Sequence, residues 1–306
     1  MTTPISAAPG LRCADAAEAA GDLLEGTAPP ADHWFLVEHP GPWDRLVLAG
    51  SGFDRAAAVA LDRWAVATIG RVLFVRRPGR HVRPVQRRWF RIDGRPGHES
   101  LRTGLFTAEA ELVDVIADPA AGVADDEPLV LVCAHGRHDT CCAVRGRPLA
   151  AALAADLPER TWEASHVGGC RFAAAMVLLP HGVVLGNVAA ADGPKIAAGY
   201  AAGQLPERGV RGRASLSPVV QAAQHHARMA TGEFGVDALR PVDASPDEAG
   251  SWHVRLADPE VTIVLRERRV DTDRRLTCAA KAPGWMRVFD LLDVALGAPH
   301  RAAASH

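Results

Sequence analysis

The stretch Leu129-Val130-Leu131-Val132-Cys133-Ala134-His135-Gly136-Arg137-His138-Asp139-Thr140-Cys141-Cys142 decides how this chain is read. Four apolar residues in a row, alternating leucine and valine, form the kind of run that a strand covered on both faces needs. The run stops at Cys133, and a polar loop occupies 134–140. Residues 141–157 are Ala-rich and helix-like, although Gly146-Arg147-Pro148 interrupts them. Further on, 161–165 reads as a short strand and 166–170 as a glycine loop. Residues 177–179 and 183–185 read as a hairpin around Pro180-His181-Gly182. Pro194 opens a helix to about 204, and Ser217-Pro218 opens another to about 231. The order β-α-β, then β-β, then α is that of a thioredoxin-like domain.

The region before this stretch shows a faint copy of it. Phe35-Leu36-Val37-Glu38-His39-Pro40-Gly41 matches Val130-Leu131-Val132-Cys133-Ala134-His135-Gly136 in pattern, and each is followed by an Ala-rich helix and another strand. A degenerate duplication is one reading of this pattern, with metal chemistry only in the second copy. Strands are expected over 34–37, 71–75, 87–92 and 112–116, with a helix over 55–67 capped by Asp54. The acidic, Ala/Gly/Pro-rich region 118–127 lacks periodicity and marks a boundary. After Gly232 the chain turns β-rich. A hairpin is expected over 252–256 and 261–265 around Asp258-Pro259, and a last amphipathic helix over 285–296. The predicted fold class is α/β, with two α/β halves: an N-terminal domain over 11–118, a thioredoxin-like domain over 128–232, and a hairpin-plus-helix extension over 233–298. Residues 2–10 and 302–306 read as frayed ends.

Composition narrows the function. The 306 residues are 48% hydrophobic and 23% charged with a net charge of −2, which excludes disorder and any overall field that would recruit nucleic acid or an anionic membrane. No apolar run approaches the ~20 residues of a membrane span. Met1 to Gly10 has no basic start followed by an apolar core, so a cytoplasmic location is expected, where thiols stay reduced. The basic residues are nearly all arginine; only Lys195 and Lys281 are lysines. Six cysteines are too few for a disulfide scaffold, yet Cys133, Cys141, Cys142 and Cys170 crowd together while Cys13 and Cys278 stand apart. In that setting clustered cysteines point to metal or redox chemistry, and the two outliers read as buried, unreactive thiols.

The candidate metal ligands are Cys133, Cys141, Cys142, His166 and Cys170, and spacing does not choose between Cys141 and Cys142. A [2Fe–2S] cluster needs two sulfur or imidazole donors on each iron, and two loops carried by one sheet can supply them. Gly168 and Gly169 let the backbone approach such a cofactor closely, and Arg171, with Arg137, offers positive charge nearby. Zinc takes the same donors, but its usual C-x2–4-C knuckles are absent. Thiol–disulfide catalysis usually needs C-x2-C, and Cys141-Cys142 are adjacent. Arg208, Arg211 and Arg213 read as a solvated basic loop, and His225-His226 as a surface pair. Trp34, Trp43, Trp64 and Trp89 read as core. No phosphate-cradling glycine motif and no carboxylate pair of a sugar hydrolase is in evidence.

Three blocks carry a family resemblance: 133–142, Trp162-Glu163-Ala164-Ser165-His166-Val167-Gly168-Gly169-Cys170-Arg171-Phe172-Ala173, and Gly26-Thr27-Ala28-Pro29 with Val37-Glu38-His39-Pro40-Gly41-Pro42-Trp43. In this order they resemble the sucrase/ferredoxin-like family of thioredoxin-like ferredoxins, over roughly residues 10–230. The resemblance implies a [2Fe–2S] cluster held by Cys133 and Cys142 from the first loop and by His166 and position 170 from the second. Members with two histidines in the second loop carry H-x3-H, and all-cysteine ferredoxins carry C-x3-C; this chain has His166 and Cys170, an intermediate set. The resulting expectation is a soluble carrier of single electrons, not an enzyme on its own, serving a redox partner protein that the sequence leaves unidentified. The alternatives are a thiol-based redox sensor or oxidoreductase without a cluster, and a structural zinc-binding interaction module. The oligomeric state is not legible.

Overall fold

The computed structural model describes residues 11–79 and 84–297, so the expected frayed ends lie outside the described residues. In chain order the elements are α1 (Cys13–Ala19), β1 (His33–Glu38), α2 (Val47–Gly50), α3 (Arg55–Thr68), β2 (Gly70–Arg76), β3 (Arg87–Asp93) and β4 (Ser100–Phe106). Then come α4 (Leu112–Ala117), β5 (Val123–Ala124), β6 (Leu129–Cys133), α5 (Thr140–Asp156), β7 (Thr161–Ala164), β8 (Met176–Leu179), β9 (Val183–Leu185), α6 (Gly193–Ala201) and β10 (Val210–Arg213). The chain continues through α7 (Pro218–Thr231), β11 (Arg240–Pro246), β12 (Ser251–Ala257), β13 (Val261–Asp271) and β14 (Trp285–Leu296).

The first ten strands form one mixed sheet in the order β10-β9-β8-β6-β7-β2-β1-β3-β4-β5. That order is nearly a palindrome. β1 and β2 run parallel across the helical crossover α3, β3 lies antiparallel on the far side of β1, and β4 and β5 continue outward antiparallel. β6, β7, α5, β8, β9 and β10 repeat the arrangement. The short helices α4 and α6 each follow the corresponding hairpin. The repeat that 35–41 and 130–136 raise as one reading is therefore present in the topology, and each half has the thioredoxin-like strand order. Backbone bonds repeat too: His39 N–H donates to the Val75 carbonyl at 2.9 Å, and Ala134 N–H to that of Ala164 at 3.0 Å. The halves meet where β2 pairs antiparallel with β7. A single sheet thus runs through both halves, and part of the expected boundary region is β5, hydrogen-bonded to β4.

The chain's last four strands form a separate antiparallel sheet, β11-β12-β13-β14, whose inner face packs on α7. Here the expected terminal helix over 285–296 is corrected: the segment is β14, paired with β13 along its length. Its apolar residues fit a helical period, but eleven residues of β13 need a partner for their backbone groups, and that pairing overrides the local pattern. Residues 112–116, expected as a strand, lie in helix α4. A 3-10 turn at Glu109–Glu111 leads into it, and the Glu111 carboxylate accepts the Ala108 N–H at 2.7 Å. The expected interruption of 141–157 is also absent: α5 runs unbroken through Gly146 and Pro148. Arg211 and Arg213, expected in a solvated loop, are buried in β10.

Candidate metal centre

β6 and β7 are parallel neighbours, so the loops leaving their carboxyl ends open side by side. The first loop starts at Cys133, the fully buried last residue of β6, and runs to Asp139. The Asp139 carboxylate caps α5 by accepting the Cys141 N–H at 2.9 Å. This cap fixes the first turn of α5, where Cys141 and Cys142 lie. The second loop leaves β7 through Ser165 and His166 and reaches Cys170, which begins a 3-10 turn.

These loops bring Cys133, Cys142, His166 and Cys170 together. The donor atoms of Cys133, Cys142 and His166 lie within 4.8 Å of one another, as do those of His138, His166 and Cys170. Cys170 Sγ is 3.7 Å from His166 Nδ1. The three cysteines are buried, whereas His138 and His166 are partly open to solvent. The His138 ring stacks on His166 at 3.6 Å between centroids, tilted by 13°. His135 lies beneath, its Nδ1 accepting the His166 backbone N–H at 3.3 Å.

Charge in this pocket is shared unequally. The Cys142 thiol donates toward Cys133 and Cys170. That bond, aided by His166 and opposed by burial, holds Cys133 well below the ordinary thiol range. Cys170 is likewise brought down to about 5, chiefly by Cys142 and against burial, with His138 and His166 assisting. Cys142 is pushed up, because its proton is held between two thiolates. Burial disfavours a charged ring at His166, but the Cys133 and Cys170 thiolates outweigh it and raise the group to about 9. Burial lowers His135. The pocket thus already stabilises anionic sulfur, the state in which cysteine binds a metal.

Gly168 and Gly169 both have positive φ, +99° and +76°. A Cβ on Gly168 would stand 2.5 Å from Pro29 Cγ, and one on Gly169 would stand 2.4 Å from Arg211 Nη2. Both glycines therefore admit protein neighbours into the loop as well as the needed backbone turn. Arg171 pairs with Asp22 at 3.2 Å; Arg137 pairs with Asp44 at 3.8 Å on the surface. The cations next to the pocket are Arg71, whose Nη2 donates to the His166 carbonyl at 3.1 Å, and Arg211, whose Nη1 donates to that of Gly168 at 2.9 Å. Burial lowers Arg71, and the Cys133 thiolate opposes this; burial with Arg171 and Arg71 nearby takes Arg211 down to about 9.

Sequence reasoning passed over His135, His138 and Asp139. Their signal was the H-x2-H-D run inside the loop between Cys133 and Cys142. Arg71 and Arg211 had no signal, because they arrive from β2 and β10. Cys141 points away from this pocket, toward Cys13 and Cys278.

By its chemistry the donor set could hold a metal ion or an iron–sulfur cluster: three thiols and an imidazole in a largely buried pocket, with the buried Arg211 and the half-buried Arg71 beside it. Among the described residues, the buried His135 Nε2 and His138 Nδ1 have no hydrogen-bond partner of normal geometry. Among the described residues no helix is long and apolar enough to cross a membrane. Neither a curated protein nor a solved structure matches the chain. The sucrase/ferredoxin-like family model matches residues 24–212, well over half of the chain, and both loops fall inside that span. The chain belongs to the sucrase/ferredoxin-like family.

Proposed function

We propose that this protein is a carrier of single electrons that binds a [2Fe–2S] cluster through Cys133, Cys142, His166 and Cys170. The observation that carries the proposal is the convergence of these four side chains from two adjacent loops, in overlapping trios rather than one single-ion quartet. When bound, the cluster would supply reversible one-electron transfer. The chain's own residues do the rest. Arg71 and Arg211 place positive charge beside the thiolates, and the glycine loop admits Arg211 close to Cys170. His166 and the stacked His138 form the side of the pocket that reaches solvent, and so the side a partner protein would meet. His166 must give up its extra proton to ligate, so metal uptake is favoured as pH rises toward about 9.

The depressed Cys170 beside Cys142 favours a second reading, reversible disulfide exchange between these two thiols. One experiment separates the readings. Anaerobic reconstitution of the full chain with iron and sulfide is expected to give a red-brown protein with a paramagnetic reduced state, and Cys142→Ala is expected to abolish both. Iron uptake that survives Cys142→Ala overturns the ligand set. A protein that takes up no iron but cycles a Cys142–Cys170 disulfide supports the exchange reading.

A further inference from the structure

Cys13, Cys141 and Cys278 come from α1, the first turn of α5 and the loop between β13 and β14, yet their sulfurs form a nearly equilateral triangle. Cys13 to Cys141 is 3.6 Å, Cys141 to Cys278 is 3.6 Å, and Cys278 to Cys13 is 3.5 Å. The Asp139 carboxylate lies over the triangle, with Oδ2 3.6 Å from Cys13 Sγ, and the four donor groups all lie within 4.8 Å of one another. We propose that Cys13, Asp139, Cys141 and Cys278 form a closed, four-coordinate zinc site that adjoins the first pocket through Asp139, whose carboxylate also lies within 4.8 Å of the Cys142 and Cys170 donors.

The distances are those of one tetrahedral ion. Zinc–sulfur bonds of ~2.3 Å place two sulfurs ~3.8 Å apart, and a carboxylate oxygen at ~2.1 Å sits ~3.6 Å from each sulfur. A two-iron cluster spreads its ligands over two metals, whereas these three sulfurs share one centre. A disulfide would need ~2.05 Å between sulfurs and would strand the third thiol. Asp139 caps α5, and its carboxylate also meets the Cys13 thiol. It is 3% exposed, and its neighbours are thiols and the backbone N–H groups of Cys141 and Cys278, at 2.9 and 2.8 Å. A buried carboxylate among thiols calls for a cation. Three thiolates and a carboxylate, with no open position, make a structural rather than a catalytic zinc set.

The site would pin α1 and the loop between β13 and β14 to the helix that carries Cys142. A second contact ties the same segments: Asp22, three residues after α1, receives both Arg171 and Arg274, the latter four residues before Cys278. Zinc would therefore hold the C-terminal sheet against the first turn of α5.

The test uses the full chain from cells supplied with zinc, analysed for metals as wild type, Cys278→Ala and Cys133→Ala. The expected result is one zinc per chain in wild type and Cys133→Ala and none in Cys278→Ala. Iron in the first pocket is scored separately, so the failure of either site is distinguishable. A wild type without zinc, or zinc unchanged in Cys278→Ala, overturns the proposal. Should Cys278→Ala not fold, Cys133→Ala decides: zinc retained with the first pocket broken supports the site, and zinc lost there overturns it. Half-buried Cys278 is expected to resist iodoacetamide until a chelator strips the zinc; equal labelling with and without chelator, or a Cys13–Cys278 disulfide, is the opposing result.

Discussion

Cys141 and Cys142 are successive residues on one helical turn, so roughly 100° separates the directions of their side chains. That rotation sends Cys142 to Cys133 and Cys170 and sends Cys141 to Cys13 and Cys278. Their spacings from Cys133 differ by one residue, and spacing alone cannot choose between them. The choice is made by the Asp139 cap, which sets the phase of the helix. Cys13 and Cys278 were illegible as site residues because their partners lie more than a hundred positions away in sequence. Gly146 holds the same helix against the strand: a Cβ there would stand 2.0 Å from the Cys133 carbonyl oxygen. A Gly→Ala change inside a helix ordinarily stabilises by about 0.5–1 kcal/mol. At this position the sign reverses, because the clashing atom is backbone and cannot swing aside. Gly146→Ala is expected to cost at least about 1–3 kcal/mol in urea unfolding and to weaken metal retention, since Cys133 must shift. A neutral or stabilised variant would show that α5 does not press on Cys133.

Among the elements, the strands and helices flanking the first pocket were legible, because β6, α5 and β7 each carry a strong local pattern with a cap or turn at its end. The C-terminal segment was not. Residues 285, 288, 289, 292 and 296 fit one face of a helix, and on that reading Phe289, Leu292 and Leu296 would be buried together. In β14 they separate: Phe289 is 3% exposed against the α7 core, whereas Leu292 and Leu296 are 45% and 61% exposed. Phe289→Ala is therefore expected to cost about 3–5 kcal/mol. Leu292→Ala and Leu296→Ala should each stay within about 0.5 kcal/mol of wild type, read by denaturant midpoints at constant slope. Equal losses at all three positions would restore the helix. The strand expected over 112–116 fails for the same reason. A run of about six residues is too short for period alone to separate strand from helix, and its place after the β3–β4 hairpin, matching α6 after β8–β9, decides it.

For the whole molecule, the repeated sequence pattern disclosed the two halves but not their junction, since edge pairing between β2 and β7 leaves no periodic trace. Among the several contacts that join the halves are two ion pairs at separate places. At the sheet, Arg76 pairs with Glu163 at 2.8 Å, both side chains buried. At the other, Glu99, in the loop between β3 and β4, pairs with Arg213 from β10, which also donates to the Gly94 carbonyl at 3.0 Å. This second pair gives the fold a pH dependence whose sign is fixed. Burial alone would raise the Glu99 carboxyl, but the Arg213 guanidinium and nearby N–H donors outweigh it and hold the group below its ordinary value of 4.5. The unfolded chain then binds the proton more readily than the folded one. The stabilisation is complete above the ordinary value and is lost as pH falls through the lowered folded value. Thermal unfolding of wild type and Glu99→Gln from pH 7 down to pH 3 measures it. The wild type should melt higher by a constant margin in the upper part of that range, and the margin should close once the carboxyl protonates. Because Glu99 and Arg213 belong to different halves, the margin should appear in one shared transition rather than in one half alone. A margin that persists unchanged at pH 3 would mean that Glu99 acts through its packing and not through its charge.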